Sequence, residues 1–296
     1  MNVTDRLFAG WYLGLGTVIA VLPYRVERWW ALLLLHVVVL AGIMLLVRRQ
    51  SRSRHWRFAH NWYPGVLFVA AFEETALLSL LLRNEWQDSW ILELEAELFS
   101  VPPTVWLGQQ ASWWLTEIFD IGYFSFYGFF LAVASVLYAR AHRPSEPVAR
   151  SVEAQQAFRD LVDASVLGYI VCFIVYLLFP MEGPRHTLAH LHAATPLSGG
   201  PFHWAVETIQ RYGGVHGNAF PSAHITAASV AFLFATRYAK SLVPWLLPLL
   251  VLMCVGAVND RYHYVSDAVA GLLVGAAVSL PFLFRGRRRL RELQHI

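Results

Sequence analysis

Eight stretches of this chain are apolar over close to the length that a lipid bilayer demands, and that leaves few folds open to it. They lie at about 7–22, 29–47, 62–82, 118–138, 164–179, 222–237, 242–258 and 265–284. A helix needs roughly 20 mostly apolar residues to cross the hydrocarbon core. Only elements that satisfy their own backbone groups survive there. The expected fold class is therefore all-α, a polytopic membrane helix bundle of about eight transmembrane helices. Composition agrees, with 57 % hydrophobic residues and only 15 % charged, against about a quarter charged in soluble domains. The 12 tryptophans and 12 tyrosines suit the aromatic belts at membrane boundaries. Cys172 and Cys254 fall inside apolar runs and read as separate thiols. No cleavable signal peptide is expected, because Gly10, Gly14 and Gly16 interrupt the first run and no processing site follows it.

The distribution of basic residues sets an orientation. With the N-terminus in the cytoplasm, the segments on the inside collect 17 of the 23 lysines and arginines. They include Arg48 to Arg57, Arg140 to Arg159, and the tail from Arg285 to Arg291. Cytoplasmic loops are enriched in this way. Both termini are then cytoplasmic, and topology accounts for the basic residues, so no nucleic-acid partner is expected. Segment 83–117 is polar and acidic with interspersed apolar residues. Ile91, Leu94 and Leu98 share a helical face, which predicts an amphipathic helix on the outer surface, either a lid or a cap.

Two short stretches carry candidate chemistry. The first is Gly217-Asn218-Ala219-Phe220-Pro221-Ser222-Ala223-His224. Pro221 suits a helix start and Ser222 an N-cap. The free N–H groups and the helix dipole there favour an anion, with His224 beside it. The second is Arg261-Tyr262-His263-Tyr264-Val265-Ser266-Asp267. A histidine attacks phosphorus when one ring nitrogen is free and the other donates to an acceptor, and Asp267, one turn on, is such an acceptor. Arg185 and Arg261 offer bidentate phosphate contacts. A lone boundary histidine is more often only a satisfied polar group. Two of them, one after proline–serine and one before aspartate, all on the same predicted outer face, favour chemistry.

At these residues the chain resembles the type-2 phosphatidic acid phosphatase superfamily. Pro221-Ser222-Ala223-His224 is similar to its proline–serine–glycine–histidine motif, and His263 with Asp267 to its histidine–x–x–x–aspartate motif. The resemblance spans about Trp62–Phe284. It implies a six-helix catalytic domain within 61–296, with 1–60 adding two accessory helices and a basic loop. It further implies His263 as a phosphohistidine-forming nucleophile, Asp267 as its partner, His224 as acid and base, and Ser222 as a phosphate contact. No metal or other cofactor is implied, and the partner is a membrane lipid substrate. The first motif is incomplete, since Leu178 stands where lysine would fall and Arg185 carries over alone. Ala257 occupies the usual arginine position of the third motif, leaving Arg261 as its stand-in. These forms look nearer the branch of inositol phosphorylceramide synthase and sphingomyelin synthase. A lipid phosphatase is the first expectation, a lipid phosphotransferase the second, and a transporter or scaffold the third. Oligomeric state and the particular lipid stay open.

Three other features need weighing. Glu73 and Glu74 fall near the middle of the third apolar run, where a charge costs roughly 2.5–3.5 kcal/mol, so at least one is expected to face the interior. His186, His190, His192, His203 and His216 share one loop. No cysteine or further carboxylate completes a zinc set there by sequence, so they read as solvated. Gly271 and Gly275 make a small face for close helix packing on the last span.

Overall fold

The computed structural model describes residues 1–293. The side chains of the arginine tail 285–291 lie outside the described part. Among the described residues the chain is helical with no strand. The longer helices are α1 (Val3–Val21), α2 (Trp29–Arg49), α3 (Arg54–Leu77), α4 (Asp88–Leu98), α5 (Pro103–Gln110), α6 (Trp113–Phe124) and α7 (Phe126–His142). They continue as α8 (Val148–Leu178), the single turns α9 (Pro184–Thr187) and α10 (Ala189–His192), α11 (Pro201–Gly213), α12 (Ala223–Tyr238), α13 (Val243–Asn259) and α14 (Val265–Leu293).

Among the described residues five spans are long and apolar enough to cross a membrane: 29–49, 113–142, 148–178, 240–259 and 265–284. That fits an integral membrane protein. Of the eight runs expected, α1 and α3 fall short in apolarity, and α12 has only 16 residues. Burial explains how α12 can be short. It is the hub of the bundle, packed by α7, α8, α13 and α14, and Ile225, Thr226, Ala228, Val230, Ala231, Phe234 and Ala235 are fully enclosed. A helix that is apolar all round belongs inside a bundle. Its alanines let neighbours approach closely.

Glycines set two of these approaches. A Cβ on Gly271 would sit 2.7 Å from the Ser222 carbonyl, and one on Gly275 2.7 Å from that of Thr226. The small face read from the sequence therefore seats α14 against α12. Gly122 and Gly256 do the same between α6 and α13, where a Cβ would lie 2.4 Å from Leu252 and 2.6 Å from the Phe119 carbonyl.

Several boundaries differ from expectation. The third helix starts at Arg54, eight residues early, and ends at Leu77. This moves Glu73 and Glu74 from mid-helix to its last turn. Glu74 faces inward and meets His36 Nε2 at 2.5 Å, while Glu73 is exposed. The fourth run is two helices, α6 and α7, joined at Ser125, whose hydroxyl donates to the Gly122 carbonyl at 2.5 Å. The fifth begins at Val148 rather than Ala164, so Arg150 and Arg159 belong to helix. Segment 180–220, expected as a loop, contains α9 to α11.

Segment 83–117 folds into α4 and α5. The helix over 91–98 is present, but it buries Asp88, Ile91 and Glu95, and leaves Leu94 and Leu98 exposed. A fixed loop and the first turn of α14 explain that choice: Asp88 accepts backbone N–H groups from the one and Glu95 from the other, as described below. At the other end of the bundle, Asp5 accepts hydrogen bonds from Tyr63 (2.7 Å) and His60 (3.0 Å), and Asp163 accepts from Thr4 (2.6 Å). Those contacts tie α1 to α3 and α8.

Candidate active site

Ser222 caps α12, its Oγ accepting from the Ile225 amide at 3.4 Å, and a cis peptide joins Phe220 to Pro221. Tyr176 on α8 holds this turn from below. Its hydroxyl donates to the Pro221 carbonyl at 2.8 Å and accepts from the Ala223 amide at 3.2 Å. The Ser222 amide donates to the Asp267 carbonyl at 3.1 Å. The start of α12 is thereby fastened to the first turn of α14.

His263 lies in the tight connection between α13 and α14 and is only 4 % exposed. Its Nδ1 faces the Ala219 carbonyl at 3.0 Å and Asp267 Oδ2 at 3.4 Å. Both are acceptors, so Nδ1 carries the proton and Nε2 keeps its lone pair. That lone pair accepts from the Ser222 hydroxyl at 3.0 Å. Burial lowers the His263 pKa to about 4, although the Ala219 carbonyl pulls the other way. The same Asp267 oxygen accepts from the Tyr264 amide at 2.8 Å, so the carboxylate is itself fixed.

The ring of half-buried His224 stands with its centroid 6.2 Å from that of His263. Phe126 meets it edge-on at 4.5 Å, with Tyr123 and Phe72 on other sides. Both histidines line one cavity of about 410 Å³, as does Arg185. The two rings, Ser222, Asp267 and Arg185 thus gather at one end of the bundle.

Arg185 does not stand free. Its guanidinium donates to Glu207 Oε2 at 2.7 Å and lies 5.1 Å over the Tyr262 ring. Tyr262 donates to the other Glu207 oxygen at 2.8 Å. Burial opposes the charge on Glu207, but the bonds from Arg185 and Tyr262 hold its carboxyl below the usual range. Burial likewise opposes the charge on Arg185, and Glu207 more than restores it.

Arg261 is the exception among the expected residues. Its backbone is left-handed (φ 67°), and its guanidinium donates to the carbonyls of His192 and Thr195. It lines a separate, neighbouring cavity of about 400 Å³ with His192, Asp260, Arg185 and Glu207. It is not among the residues lining the cavity that His263 and His224 share. The turn that positions His263 directs the side chain two residues before it elsewhere.

Several residues at the site escaped the sequence reading. Asp88 at the start of α4 accepts from the amides of Glu182 (2.7 Å) and Gly183 (2.8 Å) and from the Tyr264 hydroxyl (3.0 Å). Glu95 accepts from the amide (2.9 Å) and hydroxyl (2.8 Å) of Ser266. The one available signal was their spacing of seven around Ile91, which places two acids on one helical face.

The fold is that of a polytopic helical membrane protein, and its polar end assembles two histidines and an arginine around one cavity, with Ser222 and Asp267 buried against His263. Residues 89–280, from within α4 to within α14, match the PAP2 superfamily, and the chain belongs to it. Helices α1 to α3 lie outside the matched stretch. No curated protein and no solved structure matches the chain. Membership points to phosphatase- or phosphotransferase-type activity.

Proposed function

We propose that the protein is a lipid phosphatase that cleaves a phosphoester or pyrophosphate through phosphohistidine at His263. The observation that carries this reading is the orientation of that ring. Its protonated nitrogen faces a carbonyl and Asp267, its free nitrogen accepts from the Ser222 hydroxyl, and the ring lines the cavity with its centroid 6.2 Å from that of His224. Nε2 attacks phosphorus and the bond to the leaving oxygen breaks. Burial and His263 lower the His224 pKa to about 3, so His224 takes up its proton only beside the incoming phosphate anion; it gives that proton to the leaving oxygen, and Asp267 stabilises the developing imidazolium. In the second half His224 takes a proton from water, the hydroxide attacks phosphorus, the N–P bond breaks and phosphate leaves. Arg185 and Ser222 hold the equatorial oxygens, a form of charge stabilisation central to phosphoryl transfer. No metal takes part in bond making.

An amphiphilic substrate suits the surroundings. An apolar groove of about 740 Å³ runs beside the start of α14, lined by Leu98, Trp106, Cys254, Val258, Val265 and Leu272. The lipid enters from the outer leaflet, with its headgroup in the polar cavity. The neighbouring chamber behind Arg185 and Glu207 favours a second reading, transfer to a lipid alcohol as in the inositol phosphorylceramide synthase-like branch. It offers room for a hydroxylated acceptor next to the phosphorus.

The test is phosphate release from a panel of lipid phosphates and polyprenyl pyrophosphates. His263→Ala is expected to lose activity by about three orders of magnitude or more, and a variant as active as wild type refutes the mechanism. Adding ceramide or diacylglycerol separates hydrolysis from transfer. No turnover of any substrate by the wild type turns the reading to a transporter or scaffold.

A further inference from the structure

His186 and His216, read from sequence as solvated loop histidines, are brought together with a carboxylate that the linear spacing concealed. Glu182 lies in the turn after α8, and His186 four residues on. His216 comes from the far side of α11. One ligand atom from each lies within 4.8 Å of the other two. His216 Nε2 is 2.6 Å from Glu182 Oε1, and the two imidazoles stack at 4.4 Å.

The cluster is supported from outside. The Glu182 and Gly183 amides are fixed on Asp88, and Thr187 donates to the second Glu182 oxygen at 3.5 Å. Trp86 stacks on the other face of His216 at 5.2 Å and 11°. Gly217 makes that approach possible: it has φ 93°, and a Cβ there would sit 2.9 Å from the Trp86 ring. Burial, His216 and Arg185 lower the His186 pKa against the opposing charge of Glu182.

We propose that Glu182, His186 and His216 hold a divalent cation of the zinc class at the mouth of the His224–His263 cavity, where it binds the outer anionic group of the substrate. Two imidazoles and one carboxylate with a fourth position open to ligand are a familiar donor set for such an ion. One positive charge remains on the complex, and all three side chains line the cavity. The cavity needs that charge, because Arg185, the arginine that lines it beside the histidines, is already paired with Glu207. The substrate class favoured is a lipid diphosphate, or another headgroup with an anion beyond the reacting phosphorus. The cation orients that group and takes no part in the transfer. The role in substrate binding rests on the phosphatase reading, whereas cation binding does not.

The test uses the full chain in nanodiscs, purified without a polyhistidine tag, stripped with chelator and titrated with Co²⁺. One equivalent is expected, with the visible absorption of a four-coordinate ion. Glu182→Gln and His216→Ala are each expected to weaken binding by about 10-fold or more, while His263→Ala binds as wild type does. That control separates this inference from the phosphohistidine reading. Absence of stoichiometric cobalt, or binding indifferent to both substitutions, shows an ion pair only and overturns the site. In turnover, chelation is expected to raise KM for a lipid diphosphate and leave kcat unchanged. A fall in kcat at constant KM overturns the positioning role.

Discussion

The His263 imidazole meets a hydroxyl on one edge and a carbonyl with a carboxylate on the other, and this asymmetry chooses its tautomer. Its burial has a consequence for pH. In the proposed mechanism attack needs the neutral ring, which prevails above the pKa. With that pKa lowered to about 4, the ring stays competent as pH falls through 6.5 and is lost only on approach to 4. The base-quenched yield of covalently phosphorylated protein in a single turnover is expected to hold from pH 7 to pH 5. A midpoint near 6.5 contradicts this. Ser222→Ala removes both the hydroxyl on Nε2 and the α12 cap. It is expected to cost about 1 kcal/mol of stability and to lower kcat/KM by about tenfold, measured by thermal melting and initial rates. Ser222, His224, His263 and Asp267 were legible because each pair lies within one turn of chain. Glu207, Tyr262 and Asp88 were not, because their partners are 22, 55 and 176 residues away, and local spacing carries no trace of such pairs.

The site depends on elements meeting at fixed distances. The Ser222 amide bonds the Asp267 carbonyl only because α14 comes close to α12 at Gly271. Gly271→Ala drives a methyl into the Ser222 carbonyl, and overpacking of this kind costs about 1–3 kcal/mol. Gly10→Ala on α1 has nothing within 4 Å of the new methyl and is expected to be neutral or stabilising by up to about 1 kcal/mol. Urea-induced inactivation of the two variants, with the residual rate of each, checks the contrast. Equal behaviour refutes the packing argument. Hydropathy located the cores of the long helices but not their ends. α8 runs 16 residues further toward its N-terminus than expected, through Arg150, Glu153 and Arg159, because a helix leaving the membrane keeps its backbone bonds while its side chains turn polar. The buried face of α4 was misread for a related reason: periodicity finds apolar stripes, and α4 buries Asp88 and Glu95, which bind backbone amides of a loop and of the first turn of α14.

Across the whole molecule, α8 fixes how far apart the two polar ends lie. Its 31 residues make about 46 Å of helix, more than the roughly 30 Å hydrocarbon core. The turn before Val148 and the loop after Leu178, which leads to Glu182 and Arg185, are therefore expected on opposite faces. By the positive-inside rule the excess of arginine at 48–57 and 140–159 predicts a cytoplasmic first end, and the histidines are then expected on the other side. Single cysteines test this in a background carrying Cys172→Ala and Cys254→Ala. Val148 and Tyr212 are 81 % and 84 % exposed, so either position tolerates the change. In intact cells a membrane-impermeant maleimide is expected to label Tyr212→Cys, on α11 near the cavity, and to reach Val148→Cys only after permeabilisation. Labelling of both in intact cells refutes the span of α8, and the reverse pattern inverts the orientation. For the proposed lipid substrate, the inverted outcome also moves the pool to the cytoplasmic leaflet, because the headgroup must arrive at the face where the cavity lined by His224 and His263 opens.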